Sequence, residues 1–526
     1  MAIIAGADFG TQSVRVTIFD TVKGVLTSEE APLKTRTDKI DLNFATQRHE
    51  EHLKGLRDAL AAAQLSAAID LKVIKAIAFD TTGSSVIPVA KGLEPLDDYY
   101  LWRDHRAFKE AKEITELAHK MNVQAIKWCG GIYSHEWGFS KLLHWLRNNP
   151  NERGKLFTAL EHCDMLVNTL VGNVTADSII RSKCAIGHKW LWNENLGGLP
   201  DQEFFSTVDP LFDGIRDKMV GEVRTSNHIA GHLTPHWADY LGLSAGIPIP
   251  VGAFDAHWDA IGVGGRVGDM VNIVGTSTCV IAIMEHTKLI EGVCGVVDGS
   301  ADPDHVTIEA GLSAVGDLFS SITQRANTPI NELSNDINGY SPGQSGLLRV
   351  PWDNGDRSVL VRADLSGITF GWKLGTTAQD ELFAAIEGTA FLNKIILDRI
   401  EESGESIKRI INTGGVSRKN RLLNQIYADV FNKPVYVPRI DPTGLGACIF
   451  AGLASGDFAS IYEAQKVVSP DLDIYKPRPS YIPIYNDLFR LFEHVYFGME
   501  KGNLPSDISS QLSEIRNRAL RLNQNL

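Results

Sequence analysis

Apolar and polar positions alternate at the start of the chain and soon change period. Residues 3–7 and 14–19 predict two strands, the second placing Val14, Val16 and Ile18 on one inward side. From 50 to 65 the spacing is helical, with Leu53, Leu56 and Leu60 among alanines. Residues 74–79 predict a short buried strand running into "DTTGSS", and helical spacing returns at 108–119 and 139–147. Strands alternating with helices predict an α/β domain over roughly the first 250 residues.

The pattern then starts again. "MVNIVGTSTCVIAIME" (270–285) predicts strand, turn and strand, an echo of the opening hairpin about 265 residues earlier. A strongly periodic helix follows at 380–400, and "IKRIINTGGVSRKNRLLNQIYADVF" reads as strand, glycine turn and helix. Two hairpins of one kind suggest two halves on one plan, although any GTS-type turn between Val/Ile strands looks locally similar. The Pro-rich stretch 475–485 predicts a linker to a C-terminal helical tail.

Length and composition narrow the class. A chain of 526 residues favours two domains, and 44% apolar with 22% charged residues is ordinary for a globular protein. The net charge of −13, with no Lys/Arg run to reverse it locally, argues against nucleic acid as the main partner. Six scattered cysteines (129, 163, 184, 279, 294 and 448), with no C-x-x-C pair, predict a reduced, cytoplasmic protein without a zinc site or disulfide framework. The first apolar stretch is interrupted at Asp8 and reads as a strand, not a signal peptide. No apolar run approaches the ~18 residues that would predict a membrane span.

Within "GADFGTQSVR", Asp8 stands beside Gly10, Thr11, Gln12 and Ser13 in the hairpin turn. Glycine permits close backbone approach, and successive N–H and O–H groups can face one concavity, which suits an anion. A carboxylate there would repel an anion unless a cation stood between, so the combination suggests a phosphate with Mg²⁺. A turn in which Asp8 and Thr11 merely satisfy backbone donors is the plainer alternative. "GTST" provides Gly275, Thr276 and Ser277 in a second such turn. "NTGGVSRKN" places Gly414, Gly415, Arg418 and Asn420 where a strand opens into a helix, a setting for a nucleotide.

"GAFDAHWDAIG" (252–262) carries Asp255 and Asp259 four residues apart with His257 between. Asp255 is expected to act as a base, with an ordinary carboxylate pKa of about 3.9, and His257 to be a satisfied structural histidine behind it. A three-ligand metal site here finds no second group of ligand-like spacing. In "YYLWRDHRA" (99–107), Trp102 and Asp104 offer a stacking face and hydrogen bonds suited to a polyol. The alternative is a helix capped by Asp104 and stapled by Trp102. Trp128 and Trp137 are candidates for a further wall or for core.

Together these segments resemble the FGGY family of carbohydrate kinases, over about residues 1–455 and in matching order. "DFGTQSVR" and "GTST" look like its two phosphate motifs, "NTGGVSRKN" like its adenosine motif, and "DPTGLGACIFAGLASG" (441–456) like its second connecting segment. Within the family, "LWRDH", "SHEWGFSKLLH", "CGVVDGS", "EAGLSAVGD" and "ADLSGITFG" resemble the L-ribulokinase branch. "FDTTGSS" (79–85) departs from that branch's usual segment, which bears on the sugar more than on the reaction.

The resemblance implies two RNase H-like domains of the actin/hexokinase/Hsp70 superfamily, 1–256 and 257–526, with the catalytic cleft between them. It implies ATP and Mg²⁺, Asp8 and Asp255 as the metal carboxylates, and Lys189 and Glu309 joining Asp255, Trp102 and Asp104 around a small sugar. The expected reaction is phosphorylation of a ketopentose, L-ribulose first, with D-ribulose, xylulose or a related polyol as alternatives. A homodimer is the assembly kept open; no membrane partner is expected. A chaperone-type ATPase would need a peptide-binding domain for which the tail is too small, and a non-catalytic sugar-binding protein would not need both Asp8 and Asp255.

Overall fold

The opening hairpin forms as its pattern predicts, with strand Ile3–Phe9 antiparallel to Ser13–Asp20. The computed structural model describes residues 2–363, 365–501 and scattered positions between 512 and 521. The one-sided burial expected of 14–19 does not hold, because Thr17 and Phe19 are buried as completely as Val14, Val16 and Ile18. Helix His49–Ala67 covers one face of this sheet with Leu53, Leu56 and Leu60. Helix Leu445–Ser455, from the other end of the chain, covers the second. A strand sandwiched on both sides loses its alternation.

The two halves repeat one topology. The first sheet has the order Ala253–Phe254, Ile74–Thr81, Ile3–Phe9, Ser13–Asp20, Gly24–Pro32. Three antiparallel strands are followed by two added parallel to the first. In the second sheet Asp269–Val274, Thr278–Met284 and Val306–Leu312 form the antiparallel triplet, and Arg409–Thr413 and Val435–Pro438 are the parallel additions. Gly295–Asp298 and Leu472–Tyr475 extend its edges. The long helix Ala378–Glu402 backs this sheet and starts with a capping box between Thr377 and Asp380.

The expected linker at 475–485 is corrected. Tyr475 ends an edge strand, and Tyr481, Ile484 and Tyr485 are buried in the second core. Pro483 lies in the first turn of helix Ile482–Lys501, where a missing N–H costs nothing. Most of the tail beyond that helix lies outside the described residues. The boundary expected at 256/257 falls inside helix Asp255–Gly262, so the break between sheets comes after that rigid element.

Helices Asp255–Gly262 and Leu445–Ser455 cross where the halves join, and glycines allow the approach. A Cβ on Gly262 would lie 2.6 Å from the Gly446 nitrogen, and one on Gly446 would run into the Trp258 carbonyl. Trp258 stacks on Phe450 beside them, with ring centroids 4.4 Å apart. Gly446→Val is expected to cost about 1–3 kcal/mol through overpacking. The check is a lower denaturant midpoint with unchanged slope.

Candidate active site

The turns singled out in the sequence lie at the C-terminal ends of the central strands, the edge at which open α/β sheets bind ligands. Asp8 pairs in register with Asp80 on the neighbouring parallel strand. The short strand Ala253–Phe254 lies next in the sheet and delivers Asp255 as the first residue of its helix, with Asp259 one turn further on. Burial and the Asp8 charge push Asp255 up to about 7. The same two causes hold Asp80 and Asp259 well above the usual carboxylate range. Burial also raises Asp8, against a hydrogen bond from Asp80 and the charge of Arg15. Asp255 is therefore a stronger base than the ordinary value expected from its residue type. Four carboxyls crowded together out of water, each raised by burial, fit a divalent cation that would neutralise them.

Lys189 and Glu309 meet across the two halves. Lys189 ends helix Lys183–Lys189, Glu309 stands on strand Val306–Leu312, and Nζ lies 2.6 Å from Oε1. The ammonium also sits over the rings of Trp137 and Phe254, at 5.4 and 5.7 Å. Burial alone would raise the Glu309 carboxyl, but Lys189, His188 and His257 hold it down to about 2. His188 Nδ1 and His257 Nε2 approach Glu309 Oε2 at 3.4 and 3.9 Å. His257 is not a satisfied histidine: both ring nitrogens are buried and unbonded, and Glu309 stands just beyond hydrogen-bond distance of Nε2. Among the described residues, His188, His257 and Glu309, and likewise His105, His135 and Glu136, group like metal ligands. Each set abuts a cation, Lys189 or Arg357, which disfavours a dication there.

Trp102 donates from Nε1 to Thr11 Oγ1 at 2.9 Å and so ties the expected sugar wall to the phosphate turn. Asp104 takes a different part from either expectation. It is 1% exposed and its oxygens accept from Arg106 and from the Ala45 N–H, so its carboxylate is spent on the protein. Helix Phe108–Lys120 begins at Ala107 without a side-chain cap. Trp137 lies in the first-half core beneath Lys189, whereas Trp128 packs against the second core.

In the second half the two glycine turns lie side by side. Gly414 has φ +89°, and a Cβ on it would lie 2.6 Å from the Val274 carbonyl, just before the Gly275–Ser277 turn. That turn is propped by "EAGLSAVGD", in which Val315 and Gly316 donate to the carbonyls of Thr276 and Gly275. Thr276 and Gly415 are exposed, and Arg418 pairs with Asp441 at 2.8 Å. Asn420 instead caps helix Arg421–Phe431 by accepting from Leu423 N. A buried amide chain runs from Asn393 through Asn272, Asn412 and Asn424 to the Ser417 carbonyl and supports the turn from below. Asp80, His188, Asp441 and the Arg357–Glu136 pair were not anticipated. An acid ending a buried strand, as Asp8 does, was the available signal for Asp80, and the others have no local one.

Paired sheets of one repeated topology, joined by crossing helices and by the Lys189–Glu309 pair, define an actin/hexokinase-like fold. Residues 3–262 match the N-terminal domain of the FGGY family of carbohydrate kinases, and residues 270–455 match its C-terminal domain. The chain is 32% identical to a ribulokinase of Shouchella clausii across 98% of both chains. It is also 32% identical to a ribulokinase of Vibrio parahaemolyticus, across 90% and 92% of the two. A xylulose kinase structure from Brucella ovis superposes with a TM-score of 0.84 at 17% identity, covering 95% of this chain and 100% of that one. A ligand-bound xylulose kinase from Lactobacillus acidophilus gives 0.82 at 20% identity, covering 95% and 99%. The chain belongs to the FGGY family of carbohydrate kinases and is an ATP-dependent kinase of a small sugar. No helix among the described residues is long and apolar enough to cross a membrane.

Proposed function

We propose that the protein phosphorylates L-ribulose to L-ribulose 5-phosphate with MgATP. The observation that carries this reading is the Lys189–Glu309 pair, joined across the two halves and close enough to Asp255 for both charges to act on its carboxyl, in the residues that resemble the ribulokinase branch. Two ribulokinases about one-third identical over nearly the whole chain support a ribulose as the sugar.

In this mechanism Asp255 accepts the proton of the 5-hydroxyl as that oxygen attacks the terminal phosphate. A base near 7 is well matched to neutral pH. Lys189 and Glu309, fixed against each other, orient sugar hydroxyls; Trp102 supplies an apolar face, and Asp104 holds the Trp102 segment by accepting from the Ala45 N–H. Gly10, Thr11, Gln12 and Ser13 take the terminal phosphates, Gly275–Ser277 the next, and Gly414, Gly415 and Arg418 the nucleoside. Asp8 and Asp255 would hold Mg²⁺, which would supply positive charge to offset that of the phosphates. Asn420 acts through the helix it caps. Of the hinge candidates Gly262, Gly264 and Gly265, the last two follow the helix that carries Asp255 and would absorb closure over the sugar, whereas Gly262 is packed against Gly446. A cytoplasmic location and a homodimer complete the reading.

A panel of ketoses and polyols in a coupled ADP assay tests it. L-Ribulose is expected to give the highest kcat/KM, with D-ribulose next. Faster turnover of glycerol or D-xylulose would overturn the sugar, and ADP release indifferent to any sugar would overturn the kinase mechanism.

A further inference from the structure

Beneath the first phosphate turn lies a buried polar chain for which the reaction as described has no use. Gln47, on strand Ala45–Gln47, donates from Nε2 to the Thr11 carbonyl at 2.8 Å and to Thr35 Oγ1 at 3.1 Å. A carbonyl can only accept, so the amide nitrogen must face Thr11 and Oε1 must face the other way. There it meets His52 Nε2 at 2.8 Å, which places that ring's hydrogen on Nε2. His52 Nδ1 is then an acceptor, and His162 Nε2 donates to it at 2.7 Å. The order runs one way, from His162 to His52 to Gln47 to Thr11. All three side chains are 1% exposed. Burial pulls the His52 imidazolium down to about 3 and that of His162 well below its usual range, so both rings are neutral at physiological pH and the order is stable.

The chain is also fixed sideways. Tyr99 stacks on His52 with centroids 5.0 Å apart, and Phe9, between Asp8 and Gly10, packs edge-on against His162 at 5.1 Å. The consequence reaches the turn through peptide geometry. A trans peptide points its C=O and N–H in opposite directions, so tying the Thr11 carbonyl to Gln47 aims the Gln12 N–H away from the core. The Gln12 carbonyl is tied likewise, accepting from Leu33 N at 2.7 Å, which orients the Ser13 N–H.

We infer that Gln47, aimed by the His162–His52 pair, is a positioning residue that presets the backbone N–H groups of the 10–13 turn for the terminal phosphates of the nucleotide. This rests on the reading of that turn as a phosphate site. It explains why three polar side chains occupy a core otherwise made of Phe9, Leu53, Leu56 and Phe79.

The test compares wild-type protein with Gln47→Met, which keeps length and volume but cannot donate. MgADP affinity by calorimetry is expected to weaken about tenfold, as is the KM for MgATP, the scale of one directed hydrogen bond. The sugar KM should stay within about twofold, a split that a merely structural role would not produce. His52→Phe, which fills the ring volume without aiming Gln47, should weaken MgADP similarly. His52→Gln, whose amide can donate to Gln47 and accept from His162, should recover most of the loss; these two decide the matter if Gln47→Met does not fold. Unchanged MgADP affinity in folded Gln47→Met and His52→Phe overturns the inference alone. No MgADP binding by the wild type overturns the phosphate-turn reading beneath it.

Discussion

Asp255→Asn is expected to lower kcat at saturating sugar by about two to four decades, the range for loss of one general base. MgADP affinity should change less than kcat, because Gly10–Ser13, Gly275–Ser277, Gly414–Arg418 and Asp8 are untouched and the asparagine amide keeps one oxygen toward the cation. The pH profile supplies a second signature. Burial and the Asp8 charge raise the Asp255 carboxyl to about 7, so the base is protonated below that pH and ionised above it. The wild-type kcat/KM should therefore rise as pH increases from 6 to 8, with a midpoint near 7. With the nucleotide and its cation bound, added positive charge favours the carboxylate, and kcat should persist to lower pH than kcat/KM. The asparagine variant should show neither dependence. A variant that turns over at the wild-type rate under saturation would make Asp255 a binding residue rather than the base.

Glu309→Ala should be the most destabilising single change at the site. It leaves the Lys189 ammonium, 5% exposed, without its carboxylate, and breaking a buried ion pair from one side costs about 3–5 kcal/mol. Because the pair also joins the two halves, the unfolding midpoint should fall clearly. The sugar KM should rise at least tenfold while MgADP affinity holds. Adding Lys189→Met removes the stranded charge and is expected to restore most of the midpoint without restoring sugar binding. Midpoints and sugar KM values for wild type, the single variant and the double variant check this. A Glu309→Ala protein as stable as the wild type would show the ion pair to be energetically silent.

Much of this protein could be read before any coordinates. The hairpins at 3–20 and 269–284, the helices at 49–67 and 378–402, and the strand-to-helix turn at 409–420 follow from periodicity and glycine placement, because local propensity and burial agree there. The placing of Asp8, Asp255 and the three turns at strand ends was legible for a related reason. A carboxylate or a glycine cluster at a strand end has few structural uses, so residue type and position already carry information.

What the sequence could not reveal depends on groups distant in the chain that meet only after folding. Thr17 and Phe19 look solvent-facing until helix Leu445–Ser455 closes over them. Asp104 looks like a sugar ligand until Arg106 and Ala45 occupy its oxygens. The basicity of Asp255 arises from burial beside Asp8, which lies on a strand almost the whole first half away in sequence. His52 and His162, 110 residues apart, show no motif at all and become a directed chain only because helices starting at His49 and His162 pack beneath one turn. Secondary structure follows from interactions a few residues long, whereas the electrostatics and aim of a buried site are sums over neighbours that only the tertiary fold assembles.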